Sequence, residues 1–327
     1  SLTVVAADYV PVAPRSVSSL FVGVGQRYDV LIRADQAPGD YFLNVTFPRS
    51  THCGSSKNPS PAAVFSYVAG QPGSQEAAAE ASPAPKPTPA TPQHAEAADA
   101  HCTDLRDLAP IVQRQVPLER FEPGKQRSSS LNLELKVDEK AARVFWTVNK
   151  SAINVSWSEP TLSRIKAGGV ERLGTSANVV KIPTADSWSF WIVQNTSPVP
   201  HPMHLHGHDL VLVGQSEPPT DQGSRPRAYD DAKDRGTLRP DNPTRRDTTM
   251  LPALGWIVLA FETNNPGAWL FHCHLAWHVS QGLSVQYLER PGEVAGAMDL
   301  GSTQKNCEAW RAFYPQRAAA RQQDSGI

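Results

Sequence analysis

Short runs of apolar and β-branched residues, separated by Gly, Pro-Gly and Asn-Pro-Gly turns, dominate this sequence and predict strands rather than helices. Residues 19–47 and 131–157 carry the pattern as hairpins of the kind found in a sandwich. Four further stretches predict the strands of a second β-sandwich, at residues 179–195, 208–215, 254–262 and 268–275. The pattern therefore predicts an all-β chain.

Changes in composition divide the chain into four parts. Residues 71–100 consist mainly of Ala, Pro, Glu and Gln, with too few large apolar side chains to order themselves, which predicts a flexible insert. Residues 307–323 predict a helix whose Trp310, Phe313 and Tyr314 form one apolar stripe. The predicted parts are a sandwich domain, a linker or insert, a second sandwich domain, and a C-terminal helix with its tail, at residues 1–70, 71–105, 106–300 and 301–327.

Charge and hydropathy argue against two classes of protein. The formal net charge is −1, which does not favour a nucleic-acid-binding surface. No apolar run approaches the roughly 18 residues that a membrane-spanning helix needs, and the best candidate, residues 254–261, has the length of a strand. Disulfide use and four Asn-x-Ser/Thr triplets favour a secreted protein. The triplets begin at Asn44, Asn149, Asn154 and Asn195.

The most informative stretch is FHCHLAWH at residues 271–278, in which one thiol lies between two imidazoles. Side chains alternate between the two faces of a strand, so His272 and His274 would point one way and Cys273 the other. A further imidazole, His278, follows five residues after the thiol. One stretch of backbone could therefore serve two metal sites.

A second histidine cluster, HPMHLHGH, occupies residues 201–208. Its His204 and His206 are two positions apart and share one face of an extended segment. A blue-copper centre needs a thiolate, two imidazoles and a weak axial position, because copper prefers soft and borderline ligands. The sequence thus predicts a cluster of His204, His206, His272 and His274, and a copper site of Cys273 and His278 closed by His201.

Simpler interpretations compete with copper. A structural zinc site normally shows cysteine pairs at short spacing, and no Cys-x2-Cys occurs here. A thiol nucleophile with a histidine base is possible by residue type, but it needs one base rather than six further imidazoles. The remaining histidines, taken singly, are more simply explained as core residues; they are His52, His94, His101 and His208.

The spacing His-Pro-x-His-x-His-Gly, followed by His-Cys-His-x3-His-x4-Leu, resembles the third-domain signature of multicopper oxidases, and more closely that of ascomycete-type laccases. Supporting similarity is found at residues 21–30 (FVGVGQRYDV), 242–251 (NPTRRDTTML), 276–290 and 324–327, and nearly all of the chain except residues 71–100 is covered. The resemblance implies cupredoxin-like Greek-key β-sandwich domains. Residues 1–70 would be a partial second domain, and residues 106–300 a complete third domain.

The resemblance also implies a role for each clustered residue. The type 1 copper would be bound by His201, Cys273 and His278, the type 2 copper by His204, and the type 3 pair by His206, His272 and His274. Leu283, ten residues after Cys273, falls at the axial position, where leucine cannot ligate, so a strongly oxidising type 1 copper is expected. His278 would be the edge through which a donor passes its electron, which makes His278 and Cys273 the catalytic candidates.

In this family the trinuclear cluster takes four more imidazoles from an N-terminal domain. The sequence contains no His-Trp-His, and its other histidines are isolated. It also opens inside what resembles the second domain, without an initiator Met or a signal peptide. The interpretation is a C-terminal portion of a longer oxidase that is inactive without its missing N-terminal domain.

The cysteine count agrees with that interpretation. If Cys273 binds copper, three cysteines remain, which is an odd number for a secreted protein. The resemblance pairs Cys53 with Cys102 and gives Cys307 a partner in the missing domain. The alternative is that Cys307 is a buried or free thiol in a complete protein.

The last four residues have two interpretations. They are Asp324, Ser325, Gly326 and Ile327. The resemblance implies a plug that enters the trinuclear channel, whereas four residues alone would suggest a frayed terminus.

Three functions are compatible with the sequence. The first is a secreted laccase, which oxidises phenolic or aromatic-amine donors by one electron each and reduces dioxygen to water. The second is another multicopper oxidase, such as a metal or ascorbate oxidase. The third is a type 1 copper module that only binds copper or transfers electrons, which requires no residues beyond His201, Cys273 and His278.

Overall fold

The computed structural model describes residues 2–33, 35–46, 61–67, 102–123, 130–140, 142–219, 223–297, 299–313, 325 and 327. The predicted insert at residues 71–100 lies outside this part of the chain, as do Cys53 and the isolated His52, His94 and His101. Strands dominate the described residues, and the predicted all-β class is confirmed.

Two small antiparallel sheets come first in the chain. Their strands are β1 (Leu2–Ala7), β2 (Val10–Val17), β3 (Tyr28–Ile32), β4 (Gly39–Asn44) and β5 (Ala62–Tyr67). The first sheet has the order β2-β1-β3, and β4 pairs with β5. Asp8 and Tyr9 join β1 to β2 with φ angles of 45° and 68°, the left-handed values that a two-residue type I′ hairpin requires.

Two larger sheets follow and contain the histidine clusters. Their strands, in chain order, are β6 (Ser130–Asp138), β7 (Arg143–Val148), β8 (Val179–Ile182), β9 (Trp188–Asn195), β10 (His201–Leu205), β11 (Leu210–Gln215), β12 (Arg245–Arg246), β13 (Thr248–Leu251), β14 (Trp256–Glu262), β15 (Gly267–Cys273) and β16 (Ser284–Glu289). One sheet has the order β13-β10-β15-β16-β8, and the other has the order β12-β11-β14-β9-β6-β7.

The strand β14 shows why this sequence forms a sandwich. Its side chains alternate between two cores, because successive residues of a strand point to opposite faces. Ile257, Leu259 and Phe261 pack into a core that also contains Cys273 of the other large sheet. The alternate residues Trp256, Val258 and Ala260 pack into a second core on the opposite face. A strand that is covered on both faces carries an unbroken apolar run, and WIVLAFE is such a run.

All four strands predicted for the second sandwich have different bounds in the structure. The strands β11 and β14 each begin two residues later than predicted, at Leu210 and Trp256. Residues 179–195 form two strands instead of one, and β8 and β9 belong to different sheets. Pro183 follows β8 directly, and Asp186 adopts a φ of 46°, so the backbone turns between the sheets. The strand predicted at residues 268–275 ends at Cys273.

Among the described residues, α-helices lie in three of the connections between strands and after the last strand. They are α1 (Thr161–Lys166), α2 (Asp231–Asp234), α3 (Ala276–Ser280), α4 (Pro291–Ala297) and α5 (Gly301–Phe313). The helix predicted at residues 307–323 therefore begins earlier, at Gly301, and the residues after Phe313 lie outside the described part up to Ser325. None of the helices in the described residues combines the length and the apolar composition that crossing a membrane requires.

A buried ionic network joins the N-terminal sheet to the large sandwich. Asp8, in the β1–β2 turn, accepts hydrogen bonds from Arg246 Nε at 2.8 Å and Nη2 at 3.2 Å. Neither side chain is exposed, and Asp104 lies 3.8 Å from the same guanidinium group. Tyr28 of β3 accepts a further hydrogen bond from Arg246 Nη1 at 2.8 Å. Arg246 of the sandwich is thus bonded to two residues, Asp8 and Tyr28, that precede it by more than 200 positions.

Candidate metal centre

Strand pairing sets the positions of the two histidine clusters. The strand β10 lies beside β15 in an antiparallel register that places Met203 opposite Cys273 and His204 opposite His272. Residues opposite one another in such a pair have Cβ atoms about 4.5–5.5 Å apart. Two clusters that are distant in sequence therefore become neighbours in one sheet.

Three ligand atoms meet in the first group. Cys273 Sγ lies 3.4 Å from His278 Nδ1 and 3.6 Å from His201 Nδ1, and the two nitrogens are 3.1 Å apart. Cys273 ends β15, His201 begins β10, and His278 lies in α3. The cysteine and His201 are fully buried, whereas His278 is partly exposed.

This triangle has the size that a trigonal metal site needs. Ligand atoms about 2.0–2.3 Å from a central ion and 120° apart lie about 3.5–3.7 Å from one another. The observed separations of 3.1–3.6 Å are slightly shorter. One thiolate with two imidazoles is the donor set of a blue-copper site. The residues that the sequence predicts for type 1 copper therefore fit that ion.

The orientation of His201 is fixed by a residue that the sequence analysis did not identify. His201 Nε2 lies 3.0 Å from Ser197 Oγ, and this hydroxyl can donate to Asn195 Oδ1 at 2.7 Å. The Ser197 oxygen then accepts the Nε2 proton, so the lone pair of His201 Nδ1 faces Cys273. A ligating histidine commonly has its other ring nitrogen held in this way.

Burial shapes the protonation of the first group. It raises the pKa of the Cys273 thiol to about 12 and lowers the pKa of His278 to about 4. Burial, together with the neighbouring His278, also lowers the pKa of His201 well below its ordinary value. The buried Trp146 covers both imidazoles, with ring centroids 4.7 Å from His201 and 4.6 Å from His278. At neutral pH the metal-free group thus holds a thiol and two neutral imidazoles.

Copper binding to this group is expected to release one proton. Between about pH 5 and 8 the imidazoles are already neutral, whereas the Cys273 thiol must lose its proton to bind copper. The apparent binding constant is therefore expected to rise about tenfold per pH unit. Competition with a chelator of known proton affinity, in buffers across this range, measures the slope. A slope near zero would show that the thiolate forms without metal, and a slope of two would show a protonated histidine.

A second group of imidazoles lies on the other face of β15. The ligand nitrogens of His204, His206 and His272 all lie within 4.8 Å of one another. The closest two are His206 Nε2 and His272 Nε2, at 3.0 Å. His274 follows the end of β15, and its ring centroid is 5.7 Å from those of His204 and His272. The four predicted rings therefore lie close together, and the nitrogens of three of them are near enough to one another to bind the same metal ion.

The two groups are joined by a hydrogen bond as well as by the chain. His272 Nδ1 lies 2.9 Å from the carbonyl oxygen of Cys273. The carbonyl can only accept, so Nδ1 carries the proton and donates it, which leaves Nε2 of His272 free to face His206. His272 of the second group thus contacts the backbone of Cys273. The two groups are adjacent because these two residues follow one another in β15.

The second group also has acidic and hydroxyl neighbours. His204 Nδ1 lies 3.0 Å from the backbone oxygen of Asp247 and 3.1 Å from Thr248 Oγ1. Asp247 in turn receives two hydrogen bonds from Arg27, at 2.7 and 2.6 Å. Burial alone would raise the pKa of Asp247, but hydrogen bonds from Arg27, His204 and Thr248 outweigh it and hold that pKa below its ordinary value. This carboxylate therefore stays ionised.

His208 does not join either group. Its Nε2 lies 2.9 Å from Glu289 Oε2, and its ring packs against Phe261 and Trp269. This placement agrees with the interpretation of His208 as a core residue.

The remaining predicted sites are described in part. Cys102 is disulfide-bonded, and its predicted partner Cys53 lies outside the described residues. Cys307 is a buried free thiol. In the tail, Ser325 is buried and bonded to α3, with its backbone nitrogen 2.7 Å from Ser280 O and its hydroxyl 2.7 Å from Val279 O. Asp324 and Gly326 are not described, and Ile327 is partly exposed. The plug stays a prediction.

Fold and site together define a class of protein. A β-sandwich holds one Cys/His₂ triangle, which is the donor set of a blue-copper site, and a cluster of imidazoles on the other face of the strand that ends at Cys273, which defines a copper protein with two adjacent metal-binding groups. Sequence comparison leads to the same class. Two family models, both described as multicopper oxidase, match residues 154–293 and residues 1–70. The chain belongs to the multicopper oxidase family, and its metal is copper.

Fungal laccases are among the curated relatives of the chain. The chain is 41% identical over 334 residues to a laccase of Neurospora crassa, with 100% of this chain and 50% of the relative covered. It is 44% identical over 323 residues to Laccase-1 of Melanocarpus albomyces, with 96% and 49% covered. The predicted resemblance to ascomycete-type laccases is confirmed. The chain spans about half the length of the curated relatives that it matches.

Solved structures agree on the fold. The crystal structure of a laccase from Botrytis aclada matches with a TM-score of 0.77 and 26% sequence identity, over 100% of this chain and 54% of that chain. Fet3p, described as a multicopper oxidase that functions in iron import, matches with a TM-score of 0.69 over 100% and 57%. At 18% identity this second match bears on the fold alone.

Proposed function

We propose that this polypeptide provides the type 1 copper site and four imidazoles of the trinuclear cluster of a laccase-type multicopper oxidase. The single observation that carries the proposal is the pair of ligand groups that meet at β15, one with the Cys273 thiol and one of imidazoles that includes His272. Identities of 41–44% to fungal laccases support the choice of laccase within the family. The assignments of type 1, type 2 and type 3 ligands, and the predicted domain boundaries, are part of this proposal.

The chemistry requires electrons to move in single steps. Copper bound by these residues would supply one-electron chemistry, in which four phenolic or aromatic-amine donors would each give up one electron and one dioxygen would take up the four electrons with four protons to give two water molecules. The residues of this chain orient and connect those sites. His278 is the partly exposed ligand of the first group, so its ring edge is the place where a donor can approach. Cys273 lies between His272 and His274 in the chain, which provides a short bonded route to the second group.

The second group needs further ligands to hold a trinuclear cluster. This chain contributes four imidazoles to it, and the relatives are about twice as long as this chain. We propose that four more imidazoles come from a polypeptide region that these 327 residues do not include. The alternative function, a type 1 electron-transfer module, is supported by the fact that this chain supplies the entire Cys/His₂ triangle.

The test is an optical and EPR spectrum of the copper-loaded chain, with oxygen uptake on a phenolic donor measured in parallel. A strong thiolate-to-copper band that a phenol bleaches without oxygen uptake supports the type 1 assignment and the need for further ligands. Sustained oxygen uptake would contradict the proposed need for four more imidazoles. Absence of the band would contradict the Cys273 site itself. Comparison of a phenol, ascorbate and Fe(II) as donors distinguishes a laccase from an ascorbate or metal oxidase.

Replacing Leu283 with methionine is expected to lower the reduction potential of the type 1 copper. Leu283 is fully buried, and its backbone bonds both to Cys273 and to His278. If it occupies the axial position, a thioether there would add a donor that stabilises the oxidised ion, since the axial ligand tunes such potentials. A redox titration of the visible band measures the shift. Leu283→Ile, which adds no donor, serves as the control, and an equal potential in both variants would place Leu283 elsewhere.

Secretion and glycosylation complete the proposal. A disulfide at Cys102 fits an oxidising compartment. The glycosylation triplets at Asn44, Asn149 and Asn154 begin at exposed residues. Asn195 differs, because it is buried and its side-chain nitrogen donates to Val199 O and Pro252 O. We therefore expect glycans at the first three positions only, and peptide mass spectrometry of the secreted protein tests this expectation.

A further inference from the structure

Arg27 reaches from the N-terminal sheet to the neighbourhood of a copper ligand. It lies in the connection between β2 and β3, and its Nη1 and Nη2 atoms donate to the two carboxylate oxygens of Asp247 at 2.7 and 2.6 Å. We propose that Arg27 is a positioning residue for His204, which acts through Asp247 and Thr248. The proposal rests on the proposed assignment of His204 as a copper ligand.

The hydrogen bonds from Arg27 and from the imidazole converge on Asp247. Both Arg27 and the Thr248 hydroxyl donate to Asp247, the latter at 2.8 Å to Oδ1. Because the Thr248 proton is used in that bond, Thr248 Oγ1 presents a lone pair to His204 Nδ1 at 3.1 Å. The backbone oxygen of Asp247, 3.0 Å from the same nitrogen, is also an acceptor. His204 Nδ1 therefore faces acceptors and must carry the ring proton.

This tautomer leaves Nε2 of His204 without a proton and free to bind metal. The second ring nitrogen of a ligating histidine commonly sets both the tautomer and the ring angle. Without Arg27 the Asp247 carboxylate would lose two charge-assisted hydrogen bonds, and Thr248 would lose a fixed acceptor for its proton. The Thr248 hydroxyl could then donate to His204 instead of accepting from it, so that only the Asp247 carbonyl would still hold the proton on Nδ1.

Arg27 is itself held in place before it meets Asp247. Its Nη1 also donates to the Gly25 carbonyl at 2.9 Å, and its guanidinium group stacks on the Tyr9 ring at 4.8 Å. Its backbone nitrogen donates to Asp8 Oδ1 at 2.8 Å. These three contacts fix the guanidinium group of Arg27, so its two terminal nitrogens meet the Asp247 carboxylate in one geometry. Lysine, which has a single terminal nitrogen, cannot reproduce this geometry.

The same connection approaches a second imidazole. Gly25 has a φ of 85°, and a Cβ atom built on it would lie 2.5 Å from Cδ2 of the His274 ring. Only glycine lets the backbone come this close without moving the ring. The connection between β2 and β3 thus approaches His274 through Gly25 and reaches the residues around His204 through Arg27. Both of these histidines are proposed copper ligands.

The energetics distinguish positioning from simple stabilisation. The side chains of Arg27 and Asp247 are 36% and 19% exposed, so the pair is partly screened by solvent. Solvent-screened ion pairs of this kind contribute little to stability, and the contact of Arg27 with Asp8, at 3.7 Å, is longer than the 2.8 Å contact that Arg246 makes with the same carboxylate. Loss of Arg27 is therefore expected to change the unfolding midpoint little, while the ring of His204 loses its fixed orientation.

The test uses the metal-free chain with ¹⁵N-labelled histidine. Two-bond ¹H–¹⁵N spectra report which ring nitrogen of each histidine carries the proton. In Arg27→Met we expect the His204 signals to change from the Nδ1–H form to a mixture, with His201 and His278 unchanged, and Arg27→Lys to be intermediate. The matched control is Arg114→Met, which removes another partly exposed arginine–carboxylate pair, with Glu262 at 2.9 Å.

Copper(II) titration of the same variants provides the second readout. Affinity of the second group is expected to fall about tenfold in Arg27→Met, while the type 1 site is unaffected. An unchanged His204 tautomer in both Arg27 variants would overturn the proposal, as would equal changes at His201 and His278. The tautomer measurement needs neither copper nor oxygen, so its failure is separate from a failure of the proposed oxidase function.

Discussion

Replacement of Cys273 with serine is expected to abolish the blue colour of the copper-loaded chain completely. The intense visible band of a type 1 site arises from a thiolate bonded to copper, and Cys273 is the sulfur in contact with His201 and His278. Serine has a similar size, so the fold is retained, but its hydroxyl does not lose a proton at neutral pH and is a poor ligand for copper. Absorption and EPR spectra after addition of one equivalent of copper measure the loss.

Cys307→Ser is the matched control for this prediction. Cys307 is also a buried free thiol, but it lies in α5, where its sulfur is 3.7 Å from the carbonyl oxygen of Trp157. The control variant is expected to keep the full visible band. A band that survives in Cys273→Ser, or one that disappears in Cys307→Ser, would show that Cys273 is not the copper thiolate.

The two ligand groups could be predicted from the sequence because their residues lie at short and regular spacings. Alternation along β15 separates the Cys273 thiol from the His272 imidazole whatever the rest of the fold does. The antiparallel partner β10 carries its histidines at the same two-residue interval, and the register then opposes His204 to His272. Local spacing and the family resemblance therefore lead to the ligand groups that the structure brings together.

Contacts that depend on the fold could not be predicted in this way. Ser197 holds His201 because the connection between β9 and β10 folds back over the ring, and no periodicity signals that turn. Arg27 and Asp247 lie in two stretches whose similarity to the family was evident, yet their pairing across 220 positions becomes visible only when the N-terminal sheet is placed against the sandwich. The burial of Arg246 could not be predicted either, because nothing in the charge pattern distinguished this residue from a solvated arginine.

The division of residues 179–195 into two strands shows a related limit. Apolar residues occur at both ends of this stretch, on either side of PTADS at residues 183–187, and the prediction treated the whole as one strand. The exchange between sheets is decided by Pro183, which cannot donate a ladder hydrogen bond, and by Asp186, which accepts a left-handed φ and donates its backbone N–H to Thr263. Turn chemistry of this kind overrides hydrophobicity over a few residues.

Replacement of Arg246 with methionine is expected to destabilise the chain by about 3–5 kcal/mol, because it leaves the buried Asp104 carboxylate without its cation and leaves Asp8 with only the longer contact from Arg27, at 3.7 Å. Asp8 and Arg246 have fully buried side chains, and Asp104 is nearly so. Asp8 would keep its hydrogen bonds from the backbone nitrogens of Arg27 and Thr248, but no positive charge would remain in contact with Asp104 at this end of the network. The variant also loses the stacking of the guanidinium group on Tyr28.

Equilibrium denaturation in guanidinium chloride, followed by tryptophan fluorescence and circular dichroism, measures this loss. Arg114→Met removes a partly exposed pair with Glu262 and is expected to change the free energy of unfolding by no more than about 0.5 kcal/mol. The contrast between the two arginines tests whether burial, rather than the presence of an ion pair, makes Arg246 important. Equal effects of the two substitutions would contradict that view, because the tie between the N-terminal sheet and the copper-bearing sandwich would then not depend on a buried charge.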